Sequence, residues 1–226
     1  WKSHMYFEEG AKNYTAEAMS FASASAYRWF RDVICTKEMA DGEAEGKDPY
    51  EIINEEIAAS VPGAHGVTFL PYLQGKANTH RGETGSPLTA TFTGMTMATV
   101  RSDMCRAVAE GILYEMRDIV SIVKEHGMEV GDIRVTGGVT QSPTWCQMAA
   151  DIFQIPITIT ETSENGCLGA AIFAGIGAGI YKDAKEGAEK AVRIKCVYEP
   201  NPEMKEAYDA GFERFVSIYK KLERID

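Results

Sequence analysis

The stretch from Asp132 to Leu222 constrains the fold most, because it alternates short β-branched runs with helical patterns. Asp132–Thr136 reads as a strand, Gly137–Gln141 as a loop, Ser142–Phe153 as a helix and Pro156–Thr160 as a strand. Glu164–Tyr181 reads as a second helix, followed by a strand near Val192–Val197. A last helix runs from Pro202 to about Leu222, with Asn201 as its N-cap and Pro202 in its first position. Strands and helices in alternation bury one another's apolar faces in layers, so the fold class is α/β, with helices covering a sheet.

Upstream, Ser102–His126 carries the clearest helical period. Met104, Val108, Ile112, Met116, Ile119, Val120 and Val123 form its apolar stripe, and Gly127 follows as a terminator. Ala16–Ile34 has small and aromatic residues at helical spacing and reads as a helix. The acidic, glycine-bearing run Lys37–Asp48 reads as a solvated loop. Pro49–Ala59 reads as a short helix with Ile52, Ile53 and Ile57 inward, and Val61–Gly66 is turn chemistry. Val67–Leu73 and Thr89–Thr93 read as strands, the second ended by Gly94. Gln74–Pro87, with three glycines and a proline, is too irregular for regular structure.

The 226 residues fit one large domain or two small ones. A chain of this size buries roughly 70% of its unfolded surface and needs no disulfide or metal staple. The net charge of −10 argues against a general nucleic-acid or anionic-membrane binder, since both need a basic face. An anionic small ligand stays open, because backbone N–H groups and Mg²⁺ supply local positive potential. The five cysteines include no CxxC pair and their number is odd, which fits free, mostly buried thiols in a reducing cytoplasm. The four scattered histidines form no HxxxH pair, so no metal site is expected. No signal peptide is visible, and Gly166–Tyr181, the longest uncharged apolar run, is shorter than the ~20 residues of a membrane helix.

The strongest local signal is Ile133–Trp145, IRVTGGVTQSPTW. A buried strand ends in Gly137-Gly138, and the chain then enters a helix with Ser142 as N-cap and Pro143 in its first position. Two readings fit. The glycines serve a tight turn with positive φ, or they let backbone approach a nucleotide while the helix start offers N–H groups and the positive dipole end. The loop is neither GxGxxG nor a Walker loop. In Asn165–Tyr181, Cys167, Ala171, Gly175 and Gly179 share one row, with Ala170, Ala174 and Ala178 on the next. This smooth face suits close helix–sheet packing, or a ligand. Arg28 beside Trp29 could meet a phosphate or stack on the ring, His80-Arg81 could meet an anion or be solvated, and Asp151 could be a base or a surface or capping residue. Hydrolase motifs and catalytic carboxylate pairs are missing from the sequence, so the residues supply no complete catalytic set.

Together these segments resemble the C-terminal domain of the FGGY family of carbohydrate kinases, over nearly the whole chain from about Glu9. Ala90–Gly111 follows the family's second signature: small-x-aromatic-x-Gly-aliphatic, a spacer of seven, then Asp103-Met104, Ala107-Val108 and Glu110. Ala109 departs from the larger apolar residue of that pattern. Val135–Ile157 is similar to the family's adenosine motif, and Leu168–Tyr181 to the helix after it. Phe69–Thr79 resembles the xylulokinase-type Phe-Leu-Pro-Tyr-Leu segment, departing where Lys76-Ala77-Asn78 replaces Glu-Arg-Thr. Ser20–Asp32 resembles the segment ahead of the interdomain groove. Tyr27–Cys35 and Ala174–Tyr181 also resemble the autoinducer-2 kinase subgroup.

The resemblance implies an actin-like, ribonuclease-H-like ATPase domain over residues 1–226, with a mixed sheet flanked by helices. It implies transfer of the γ-phosphate of ATP to a sugar hydroxyl, with xylulose as the first expectation. Autoinducer-2, glycerol, ribulose and gluconate are the alternatives, and a non-catalytic actin-like interaction module is the rival class. It places Gly137, Gly138 and Ser142 beside adenosine, and Ala24 and Arg28 near the ATP phosphates, where Arg28 replaces a glutamine. The catalytic base, most sugar contacts, the first phosphate loop and much of the Mg²⁺ binding are expected in an N-terminal domain, so that Trp1 is a point inside a longer cytoplasmic enzyme. That domain, ATP or ADP, Mg²⁺ and a sugar are the expected partners, and a second copy of the chain is a further candidate.

Overall fold

The computed structural model describes residues 2–8, 11–17, 20, 22–76 and 88–223. Residues 1–129 with 206–226 pack as one compact unit, and 130–205 as a second.

The first unit begins with the strands β1 (Lys2–Glu8) and β2 (Ala11–Glu17), paired antiparallel from Lys2↔Glu17 to Glu8↔Ala11. The helix expected over Ala16–Ile34 is therefore shorter: α1 spans Ser23–Val33 and buries Ala26, Tyr27 and Phe30. The acidic run expected as a loop is instead helix α2 (Thr36–Glu45), closed by Gly46 at φ 69°. One tertiary and one local contact hold it. Glu38 turns inward to Arg101, and Gly42 packs where a Cβ would lie 2.9 Å from the Lys47 carbonyl oxygen. Helix α3 (Pro49–Ala59) starts on Asp48, whose carboxylate accepts the Tyr50 N–H at 2.9 Å, and it buries Ile53 and Ile57 while Ile52 is half-buried.

Strands β3 (Thr68–Leu70) and β4 (Thr91–Thr93) pair antiparallel, shorter than the expected runs. Helix α4 (Arg101–Glu125) is the axis of this unit. Its observed burial departs from a single stripe, because every residue from Cys105 to Glu115 is buried while Met116 is exposed. Gly111 lets α4 cross β3 at contact distance, since a Cβ there would overlap the Phe69 carbonyl oxygen. Helix α8 (Lys205–Leu222) follows a 3-10 turn at Pro202–Met204. It closes the core through Tyr208, Phe215 and Tyr219, with Phe215 among the rings of Tyr72, Tyr114 and Tyr219.

The second unit is built on a three-stranded sheet in the order β5–β6–β7. Strands β5 (Ile133–Val135) and β6 (Ile157–Thr160) are parallel, and β7 (Ile194–Tyr198) joins β6 antiparallel, so the sheet is mixed. Helix α5 (Pro143–Phe153) forms the crossover from β5 to β6 and buries Trp145, Cys146, Met148 and Ile152. Helix α6 (Asn165–Gly177) stops short of the expected Tyr181, and a further helix, α7 (Ala184–Ala191), packs on it. The smooth face of α6 is not covered by the sheet, and of its residues only Gly175 is buried, against the Tyr181 ring. A Cβ on Gly187 would reach Ile172, and one on Gly175 would lie 2.7 Å from the Tyr181 ring. Most of that face, including Ala170, Ala171 and Ala174, is exposed, and so is Phe173 beside it.

Candidate functional site

In the second unit the chain leaves β5 at Thr136, turns at Gly137 with φ 92°, and winds through a 3-10 turn over Gly138–Gln141 into α5. That φ lies in the region where only glycine sits without strain. Gly138 has no such constraint, and a Cβ built on it meets nothing within 4 Å. The space in front of Gly138 is therefore open. The loop is fixed from behind. The Gly137 carbonyl accepts from the Thr140 N–H at 3.1 Å and the Thr140 hydroxyl at 2.7 Å. The Val139 carbonyl accepts from the Ser142 N–H at 3.1 Å, with the Cys146 thiol 3.8 Å away. Ser142 Oγ accepts the Trp145 N–H at 3.3 Å as the N-cap of α5, leaving its own proton to donate. Gly137, Gly138 and Ser142 thus lie on one turn held by its own hydrogen bonds, with Gly138 exposed and Ser142 buried.

Ala24 and Arg28 belong to the other unit. They lie one helical turn apart on the exposed face of α1, and Arg28 reaches Asp32 at 3.7 Å. Trp29 is half-buried, and Arg31, not Arg28, sits over an aromatic ring, that of Tyr50 at 4.7 Å. His80 and Arg81 lie outside the described residues. Asp151 is buried and accepts from Gln147 Nε2 and from the Asn201 N–H, both at 2.8 Å, so it pins the segment after β7 to α5. Beside the exit of β6, an open cavity of about 400 Å³ is lined by Glu161, Glu164, Cys167, Leu168 and Arg193 among others. It shares no lining residue with the Gly137–Ser142 turn. No group of three or more His, Cys, Asp or Glu residues among the described residues is arranged to hold a metal ion. Nor is any helix among them long and apolar enough to cross a membrane.

Two buried polar clusters on α4 escaped the sequence reading. In the first, Arg106 donates to Glu110 at 2.8 Å, to the Ile57 and Ser60 carbonyls at 3.1 and 2.9 Å, and to the Tyr208 hydroxyl at 2.6 Å. Burial pushes the Glu110 carboxyl upward, against the pull of Arg106. One turn earlier, Asp103 accepts from the Ser60 hydroxyl at 2.6 Å and pairs with His65 Nδ1 at 2.8 Å. Burial acts upward on Asp103 too, but these hydrogen bonds and the Val100 N–H outweigh it and hold the carboxyl below its ordinary range. In the second cluster Lys76 Nζ lies 3.4 Å from the centre of the Tyr219 ring and 3.5 Å from Glu223, while Tyr219 donates to Asp118. The Ser20 hydroxyl donates to Glu115 at 2.6 Å, yet burial pushes Glu115 up to about 6. The available signal was charge at three- and four-residue spacing on the most helical segment of the chain.

Comparison with known proteins places these features in a family. Residues 3–178 match the model of the FGGY family of carbohydrate kinases, C-terminal domain, and the chain belongs to that family. It is 29% identical over 222 residues to the xylulose kinase of Staphylococcus epidermidis (strain RP62A), covering 98% of this chain and 42% of that protein. The autoinducer-2 kinase of Enterobacter sp. (strain 638) is 30% identical over 206 residues, or 90% of this chain and 38% of that one. The crystal structure of xylulose kinase from Rhodospirillum rubrum superposes with a TM-score of 0.76 at 25% identity, over 90% of this chain and 38% of that one. The gluconate kinase structure from Lactobacillus acidophilus gives 0.76 at 26% identity. The fold is thus the actin-like ATPase α/β class, and the chain spans about two fifths of the length of the curated relatives it matches.

Proposed function

We propose that this chain is the ATP-binding lobe, a single family domain over residues 1–226, of a sugar kinase that transfers the γ-phosphate of ATP to the hydroxyl of a xylulose-type sugar. The observation that carries the reading is the Gly137–Ser142 turn. It lies in the family's matched region, is held by its own hydrogen bonds, and faces open space at Gly138. A backbone surface without a Cβ suits the close approach of an adenosine, and Ser142 keeps a hydroxyl proton to donate toward it. The family resemblance alone assigns Ala24 and Arg28 to phosphate binding, and Arg28 carries a charged fork suited to phosphate oxygens. ATP would supply the phosphoryl group, and Mg²⁺, held mainly through the nucleotide and the N-terminal domain, would neutralise its charge. What this chain contributes is positioning, with the carboxylate that takes the hydroxyl proton supplied by the N-terminal domain.

The test is calorimetric titration of ATP and ADP into the chain and into Gly138→Val. Binding by the parent chain, and its loss in a variant with unchanged circular dichroism, is the expected result. Equal affinity in the folded variant would return the loop to a plain turn. The substrate is read separately, by coupled ADP release from the full-length protein. Xylulose, the autoinducer-2 precursor, gluconate, ribulose and glycerol form the panel, and the relatives at 29% and 30% identity make the first two the leading arms.

A further inference from the structure

β7 is the outer strand of the sheet in the second unit, and among the described strands its one neighbour is β6. It runs over five residues, Ile194–Tyr198, with Ile194 56% and Val197 45% exposed. Edge strands in natural proteins are guarded by prolines, charges or short length, because their free N–H and C=O groups template another strand. The opposite edge, β5, is only three residues long and carries Arg134, paired with Asp132 at 3.4 Å. β7 has a single charge, Lys195, between its exposed apolar side chains. The register shift against β6 at Ile159/Thr160 leaves Cys196–Tyr198 as regular edge.

Opposite charges flank this strand. Arg193 stands immediately before it and Glu199 immediately after, and both are exposed. The Arg193 guanidinium donates to the adjacent Val192 carbonyl at 3.4 Å, and Glu199 accepts from Gln147 Nε2 with its backbone carbonyl, not its carboxylate. Among the described residues neither charge has an ion-pair partner. An edge that reads positive, apolar, negative is complementary to itself run backwards. Two-fold antiparallel pairing centred on Cys196 matches the whole strand: Ile194 faces Tyr198, Lys195 faces Val197, and Arg193 faces Glu199 at both ends. Centring on Lys195 would set two lysines face to face. Centring on Val197 would bring Pro200, which has no N–H, opposite Ile194.

We infer that β7 is the surface through which two copies of this protein pair, joining their three-stranded sheets edge to edge. The pairing is isologous, so the Arg193–Glu199 contact is made twice. Arg193 also lines the open cavity of about 400 Å³ beside the exit of β6, so Glu199 of the second copy comes to the rim of that cavity. One short strand from each copy makes a small interface, and the pairing is therefore reversible and concentration-dependent. Its charges are exposed, so salt weakens it. This inference is independent of the kinase reading, since it uses no residue of the Gly137–Ser142 turn.

The experiment is analytical ultracentrifugation of the full-length protein over a concentration series, with hydrogen exchange of the peptides that cover β7. The expected result is a monomer–dimer equilibrium that moves toward monomer in high salt, with the Ile194–Tyr198 amides exchanging more slowly as the dimer fills. Arg193→Glu or Glu199→Arg sets like charges opposite each other at both ends, and each should raise the dimer dissociation constant by about 10-fold. The double variant R193E/E199R restores both pairs with their signs exchanged and should return the constant toward that of the parent. All three variants change exposed side chains and should keep the parent's circular dichroism. A protein that is monomeric at every concentration, a dimer whose β7 amides exchange as in the monomer, or a dimer indifferent to the single charge reversals overturns the inference.

Discussion

Arg106 and Glu110 show how much a single buried charge can weigh. Both side chains are less than a tenth exposed, and the guanidinium ties α4 to α3 through Ile57, to Ser60 after it, and to α8 through Tyr208. Arg106→Met should cost about 3–5 kcal/mol, because it leaves Glu110 charged or forces a proton onto it inside the core. Urea unfolding measures this, and the double variant R106M/E110L should lose much less than the sum of the two single losses. Glu115 makes a different, pH-dependent statement. Burial raises its folded pKa from 4.5 to about 6, with the Ser20 hydroxyl and Lys76 pulling the other way. The folded state therefore holds a proton that the unfolded state has already released. Its contribution is full below pH 4.5, is lost as pH rises toward 6, and is absent above that. Glu115→Gln removes this dependence. The variant's stability relative to the parent should rise by about 2 kcal/mol between the two limits and then level off. A flat difference across that window would mean that Glu115 ionises normally.

At the scale of elements, glycines separate packing from display. Gly111 of α4 lies against the Phe69 carbonyl, where no rotamer change can make room, so Gly111→Ala should destabilise by about 1–3 kcal/mol or more. Gly138→Ala meets no atom within 4 Å and should leave the urea midpoint of unfolding unchanged. Equal midpoints for the two variants would show that α4 and β3 are not in contact as described. The same contrast explains which elements could be read from sequence. α3 and α5 carried their own caps (Asp48, Ser142), Asn201 caps the 3-10 turn that leads into α8, and all three helices begin within three residues of where their apolar period put them. α2 carried neither. Its sequence is acidic and glycine-bearing, and only the distant Arg101 makes an inward-facing Glu38 favourable. α6 was legible as a helix, but the partner of its smooth face was not. Gly175 and Gly187 serve contacts with Tyr181 and Ile172, which no local pattern announces.

For the whole molecule, the proposed division of labour, which assigns the base and the first phosphate loop to an N-terminal domain, predicts that this chain alone gives no sugar-dependent ADP release. The full-length protein should turn over at a rate typical of enzymes, about 1–10³ per second. A coupled assay on both decides it, and turnover by this chain alone would place a catalytic base within it. The sequence by itself determined the α/β class, the strand–turn–helix at Ile133–Phe153 and the family, because these rest on local period, capping and motif order. The Gly137 turn was legible for the same reason: its positive φ follows from residues within a few positions. Only the tertiary structure decided that α4 is buried on all sides around Arg106 and Glu110, and that Lys76 is enclosed beside Tyr219 and Glu223. Those facts depend on residues up to 147 positions apart. A charged side chain carries no local mark of whether its partner waits in solvent or in the core, so the energy that turns it inward exists only once the distant elements have met.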